Sequence, residues 1–294
     1  MARILGTGNA TVDIIHSLAV YPAENDEVRC DSRVVRRGGN AANTLAVLSL
    51  LGHRCSWAGV LAGDTGGRFV QDDLAACGVD TGHAWHVPDG VMPVSSVILC
   101  TRTGSRTIVH YRDLPEYRAG DFQSISLQPF DWLHFEGRNI EATARMMRLA
   151  RQTHPRLPVS LEVEKPREGI ESLFGLAGIL LFSRDYARHH GYDAPEALLR
   201  DNHRQHPAAT SFCTWGESGA AAIDRHGNVY RQGALPDGPV VDTLGAGDTF
   251  NAGVIAGHLG GQEIPAVLHR ACALAGRKCS REGFAGLTEP ALER

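Results

Sequence analysis

Short apolar runs alternate along the chain with longer stretches whose apolar positions recur every three or four residues. "RILGTG" (3–8), "CSWAGVLAG" (55–63), "WLHFEG" (132–137), "VSLEVE" (159–164), "GILLFS" (178–183) and "SFCTWG" (211–216) are runs of strand length. Near-continuous apolarity in such short segments predicts strands buried on both faces of a sheet. Between them, "AANTLAVLSLLG" (41–52), "GGRFVQDDLAACG" (66–78), "IEATARMMRLARQ" (140–152) and "PEALLRDNHRQH" (195–206) carry a helical period, the first two closed by Gly52 and Gly78. Glycine is the usual residue just past a helix end, where the backbone turns left-handed. This alternation predicts a mostly parallel sheet sandwiched by helices.

Two regions break the rhythm. Residues 26–37 and 94–111 read as strands with no helix between their members, the second as a hairpin about Thr103-Gly104. They predict a small antiparallel sheet standing off the main layer. "AAAIDRHGNVYR" (220–231) reads as another hairpin. The chain is therefore expected to be a single α/β domain over residues 1–294, with lid strands inserted at about 14–37 and 92–112.

Composition narrows the partner class. A net charge of -4 and a pI near 6.4 leave no electrostatic footprint for nucleic acid or an anionic membrane surface. The N-terminal stretch is broken by Gly6, Gly8, Asn9 and Asp13 before a signal-peptide core could form, and no apolar run reaches the length of a membrane span. A cytoplasmic protein acting on a small molecule is expected. Seven cysteines without C-x-x-C spacing read as reduced thiols rather than a disulfide framework or zinc site. The fourteen histidines form no H-E-x-x-H pair and read as ordinary surface or core residues.

Candidate chemistry centres on "VVDTLGAGDTFNAG" (240–253). A G-x-G-D string arises by chance roughly 0.2 times in a chain of this size and composition, so its setting matters more than its letters. Strand-like Val240-Val241 precede it and helix-forming sequence follows, which would put glycine N–H groups at a helix N-terminus. Unpaired N–H groups and the helix dipole there favour an anion such as a phosphate oxygen. Asp248 then has two readings: a carboxylate complementing the dipole, or a general base beside an anion hole. The second suits phosphoryl transfer to a hydroxyl, in which positioning and charge stabilisation dominate. A second group lies in "RRGGNAANTLAVLSLLG" (36–52). Asn40 and Asn43 share one helix face, and amides can both donate to and accept from sugar hydroxyls, although Asn40 could equally be only an N-cap. Gly38-Gly39 permits close backbone approach, and Asp13 follows the first strand at its carboxyl end, where open α/β sheets bind ligands. No G-x-x-x-x-G-K-[ST] occurs, and Gly6-Thr7-Gly8 lacks the third glycine of a dinucleotide fingerprint.

A Gly-Gly-Asn segment near residue 40 paired with D-T-x-G-A-G-D near residue 245 resembles the ribokinase-like (PfkB) family of carbohydrate kinases. "GSRTIVHY", "FEGRN" and especially "LEVEKPRE" are similar to its ketohexokinase branch. The resemblance implies a kinase that moves the γ-phosphate of ATP to the C1 hydroxyl of a ketose such as fructose. It implies Asp248 as base, with Gly245, Ala246 and Gly247 as the anion hole. Asp13, Gly39, Asn40 and Asn43 would hold the sugar and Arg106 the phosphates, while Arg184, "GESG" (Gly216, Glu217, Ser218 and Gly219) and Cys279 would lie along the nucleotide. ATP and Mg2+ are the implied cofactors, and a monovalent cation such as K+ is admitted.

The chain also departs from the family. Arg184 stands where the ketohexokinases are expected to carry lysine, exchanging a point donor for a planar fork. Ser183 and Tyr186 stand where many members carry N-x-x-E, so Mg2+ is expected to be held by nucleotide phosphates and water, with Glu164 as a helper. Two alternatives stay open: a family member acting on another sugar or a nucleoside, and a sugar-binding regulatory protein without catalysis. The lid sheet needs cover, and Val28, Val34, Val97, Leu99, Ile108 and Tyr111 are expected to give it an apolar face in a clasped homodimer.

Overall fold

The computed structural model describes residues 1–287. Its strands are, in order, β1 (Arg3–Thr7), β2 (Thr11–Leu18), β3 (Ser32–Gly38), β4 (Arg54–Ala58), β5 (Val60–Ala62), β6 (Val79–Asp80), β7 (Trp85–Val87) and β8 (Val94–Cys100). They continue as β9 (Arg106–Tyr111), β10 (Trp132–Glu136), β11 (Val159–Val163), β12 (Ile179–Phe182), β13 (Thr210–Thr214), β14 (Ala220–Ile223) and β15 (Val229–Gln232). The α-helices are α1 (Asn40–Leu50), α2 (Thr65–Ala76), α3 (Ala119–Gln123), α4 (Ile140–Thr153), α5 (Arg184–His189), α6 (Pro195–Gln205), α7 (Ala246–Leu259) and α8 (Ile264–Cys279).

The main sheet has nine strands in the order β15-β14-β13-β12-β11-β10-β1-β4-β6. From β13 to β6 every neighbouring pair is parallel, and β14 and β15 add an antiparallel edge. Each residue of β10, β11 and β12 is buried, as the continuous apolar runs require when helices cover both faces. The predicted strand 55–63 breaks at Gly59 into β4 and β5, and only β4 joins the main sheet.

The lid is a four-stranded sheet ordered β3-β2-β8-β9. Its outer pairs are antiparallel and its central pair, β2 with β8, is parallel. Residues 26–31 form no strand, and the partner of β3 is instead Thr11–Leu18. The lid's apolar positions do not share one face. Paired positions point to the same side of a sheet, which groups Ile15, Val34, Val97 and Ile108 and sets Tyr111 with Val94 on the other side. Val97 is buried, whereas Val28, Ile108, Val109 and Tyr111 are exposed. Among the described residues no helix is long and apolar enough to cross a membrane.

Candidate active site

The carboxyl ends of the parallel strands, the inner face of the lid and the start of α7 enclose a cleft of about 1050 Å³. This is where open α/β sheets bind ligands. Asp13, Gly39, Asn40, Asn43, Arg106, Glu164, Arg184, Gly216, Gly245, Gly247 and Asp248 all line it.

The glycine turn comes first. Gly245 is the N-cap of α7 with φ at 80°, a conformation open to glycine at little strain. Its Cα also abuts Phe284, whose Cζ would lie 2.5 Å from any added Cβ. Two N–H groups of the turn, those of Gly245 and Gly247, belong to cleft-lining residues, whereas the Ala246 N–H is directed at Thr243 O at 3.3 Å. The expected strand at Val240-Val241 does not form; both side chains are exposed. What holds this approach segment is α8: the Cys279 carbonyl accepts from the N–H groups of Val241 (2.7 Å) and Asp242 (3.1 Å). Cys279 itself is not a cleft residue, and burial pushes its thiol up.

Asp248 sits two residues into α7 and is buried. Its Oδ2 accepts from Asn43 Nδ2 at 2.7 Å. Burial raises its pKa above the ordinary aspartate value; the Asn43 bond and Arg37 oppose the rise, while Glu164 and Glu136 add to it. A carboxylate lifted in this way is a stronger base than a surface aspartate.

Asn40 and Asn43 enter on α1. Gly39, at φ 107°, is the N-cap, and no room exists for a Cβ there because Asn9 O would lie 2.2 Å away. Asn40 is thus the first helical residue rather than the cap, and its Nδ2 donates to Glu162 Oε1 at 3.1 Å. Asn43 is engaged at both ends of its amide, giving a bond to Asp248 and accepting one from Arg37 Nη1 at 2.7 Å. Asp13 Oδ1 accepts from Thr11 Oγ1 at 2.7 Å. In the lid register Arg36, Asp13, Ser95 and His110 form one row across the four strands, so Asp13 faces the cleft beside Ser95 and His110.

Two cleft carboxylates, Glu136 and Glu162, were not singled out by the sequence reading. Glu136, closing β10, accepts from the Asn9 N–H at 2.9 Å and from Arg138 Nη1 at 3.0 Å. Glu162 of β11 is buried with Oε2 unpartnered, and burial followed by Asp248, Glu164 and Glu136 pushes its pKa well up. The segments "FEGRN" and "LEVEKPRE" held the signal, but nothing local distinguishes their buried acids from solvated ones.

Arg106 and Arg184 add positive charge to the cleft lining. Arg106 reaches from β9 to Thr243 Oγ1 at 3.3 Å, bridging lid and turn. The guanidinium of Arg184 packs on Gly216, where an added Cβ would lie 2.7 Å from Nη1. Glu217, Ser218 and Gly219 do not line the cleft; Gly219 faces the backbone of β15 instead, at 2.1 Å from Gln232 O for an added Cβ. Glycine N–H groups and two arginines in one cleft fit a polyphosphate. Among the described residues no group of three or more His, Cys, Asp or Glu side chains is placed to hold a metal ion; Mg2+ at nucleotide sites is commonly bound through phosphates and water with one or two carboxylates. Beside the turn, the Lys278 ammonium lies 3.0 Å from Asp242 Oδ2 and donates to Asp242 O at 2.9 Å.

The sequence pattern of the pfkB family carbohydrate kinases matches residues 1–291. The chain is 39% identical to mouse ketohexokinase over 97% of this chain and 98% of that protein. It is 25% identical to the ATP-dependent ribose-1-phosphate kinase of Halopiger xanaduensis, over 96% of this chain and 94% of the other. The Arabidopsis thaliana ribokinase solved with ribose and ATP superposes with a TM-score of 0.80 at 20% identity, covering 96% of this chain and 94% of that one.

Proposed function

The chain belongs to the pfkB family of carbohydrate kinases, and on that premise we propose that it transfers the γ-phosphate of ATP to the C1 hydroxyl of a ketohexose, giving fructose 1-phosphate from D-fructose. The observation that carries the reading is one cleft lined by the buried carboxylate of Asp248, the glycine turn and the polar row of Asp13, Asn40 and Asn43. Asp248 accepts the hydroxyl proton. The N–H groups of Gly245 and Gly247, with Arg106, face the developing charge on the phosphoryl group. The Mg2+ that accompanies ATP would be held by phosphates and water, near Glu164. Asp13 and Asn40 receive ring hydroxyls, and the primary alcohol is left to point at Asp248.

The preference for a ketose is supported by the 39% identity to mouse ketohexokinase. The same reading carries a cytoplasmic enzyme and a homodimer clasped through the lids, consistent with the exposed Ile108, Val109 and Tyr111. A coupled ADP-release screen over ketoses, aldoses, sugar phosphates and ribonucleosides tests the substrate, and phosphorus NMR of the product tests the position. Fructose as the best acceptor with a 1-phosphate product supports the proposal. A nucleoside or ribose 1-phosphate as the best acceptor, or a 6-phosphate product, refutes it. Light scattering at micromolar concentration tests the dimer, which a monomeric mass excludes.

A further inference from the structure

Arg37 is a buried arginine that lines the cleft and has been given no role in it so far. It is the penultimate residue of β3, just before Gly38-Gly39 lead into α1, and its side chain is 2% exposed. Nε donates to Asp73 Oδ2 of α2 at 2.6 Å, and Nη1 donates to Asn43 Oδ1 at 2.7 Å. Asn43 Nδ2 in turn donates to Asp248 Oδ2 at 2.7 Å. Four elements are thus joined in one directed chain, from α2 through β3 and α1 to the base on α7.

The direction of that chain follows from donor chemistry. A guanidinium has only donors, so the end of the Asn43 amide that faces it must be the oxygen. The other end, facing Asp248, is then the NH2 group, which can only donate. An ionised Asp248 accepts that bond; a protonated one would gain more from an amide turned around, whose oxygen could accept the acid proton. With Arg37 in place the turned amide would set NH2 against guanidinium, donor against donor, in a buried site.

We propose that Arg37 is a positioning residue for the base: it locks the Asn43 amide with its NH2 end toward Asp248 and so denies the protonated acid its best hydrogen-bond acceptor. The inference rests on Asp248 being the base of the proposed reaction, but it can be read without turnover. The charged groups around Asp248 are Glu136 of β10, Glu162 and Glu164 at the end of β11, and Arg37 itself, with Asp73 behind it. Arg37 is the positive charge among them that opposes the rise of the Asp248 carboxyl.

The test is an NMR titration of the Asp248 carboxyl in 13C-aspartate-labelled, ligand-free protein, assigned by its loss in Asp248→Asn. Arg37→Gln keeps a side chain of similar length but can present either an oxygen or an NH2 group to Asn43, so the amide becomes free to turn. The titration midpoint of Asp248 should rise by about one pH unit or more, the size expected when an opposite charge beside a carboxylate is removed. The acid limb of kcat should rise with it while KM for the sugar changes less than about threefold. A midpoint unmoved in folded Arg37→Gln overturns the proposal. Should that variant fail to fold, the wild-type protein decides the matter through the side-chain NH2 of 15N-labelled Asn43. One amide orientation, protected from exchange on both sides of the Asp248 titration, supports the lock; loss of protection when Asp248 takes its proton overturns it. Absence of kinase activity with the midpoint shifted as expected would leave the lock standing and fail only the functional reading.

Discussion

Arg36 of the lid holds Asp242, three residues ahead of the glycine turn, with Nη1 2.6 Å from Oδ2. Lys278 of α8 reaches the same oxygen at 3.0 Å, and the N–H groups of Leu244 and Gly283 donate to the two carboxylate oxygens at 2.9 and 3.2 Å. The lid, the turn and the segment after α8 therefore share one largely enclosed anion. Burial alone would push Asp242 upward, yet Lys278 and the backbone donors hold it below the usual carboxylate range.

Asp242→Asn is expected to leave the fully buried Lys278 without its counter-charge, and breaking a buried pair from one side destabilises by about 3–5 kcal/mol. Urea unfolding at neutral pH measures it. Because the folded pKa of Asp242 is depressed, its contribution is present above the unfolded value of about 3.9 and is lost as pH falls through the lower folded value. The gap between wild type and variant should therefore narrow below about pH 4. A gap that widens on acidification would mean that another group controls this knot.

Gly245→Ala addresses the turn itself. A left-handed alanine costs about 1–2 kcal/mol, and its Cβ must also displace Phe284. The shifted turn would no longer aim its N–H groups at the same point, and losing one such donor lowers kcat by about 10²–10³-fold. Steady-state kinetics beside a thermal melt separate the two effects. Normal turnover in a folded Gly245→Ala protein would remove the turn from the reaction.

Some of this site is legible in the chain and some is not, for a physical reason. The glycine turn, Asp248, Asn40 and Asn43 could be read because each lies at a helix start, where a few adjacent residues set the geometry. Glu136, Glu162, Arg37, Lys278 and Phe284 could not, because each acquires its partner only when the sheet order brings distant segments together. Locally Lys278 is one more basic residue in the last turn of a helix; it is buried because Asp242 meets it across the fold. Cys279 and Glu217 show the converse. Both lie in segments expected to run along the nucleotide, yet neither side chain lines the cleft.

Asp248→Asn separates catalysis from helix capping. Loss of a general base lowers kcat by about 10²–10⁴-fold, whereas loss of a dipole complement would cost stability and spare turnover. The folded pKa of Asp248 is raised, so its charged form weakens the native state as pH climbs through that value. The asparagine variant should therefore melt above the wild type at alkaline pH and bind ATP about as tightly. Near-normal kcat in the variant would make Asp248 a cap and not a catalyst.

The same electrostatics set the pH profile. As the proposed base, Asp248 would have to be ionised to take the hydroxyl proton, so the acid limb of kcat/KM should lie above the ordinary aspartate range of about 3.9. Glu136 is one of the charges that raise it. Glu136→Gln removes that charge while its amide oxygen can still accept from one of the two present donors, Asn9 N–H or Arg138. With less negative charge nearby, Asp248 ionises more readily, and the acid limb should move to lower pH by a few tenths of a unit to about one unit. Activity just below the wild-type limb should correspondingly rise relative to the plateau, even if the plateau itself falls. A limb displaced to higher pH would show that Glu136 acts on the base chiefly through hydrogen bonds that hold the cleft in shape, because loss of charge alone can only move it down.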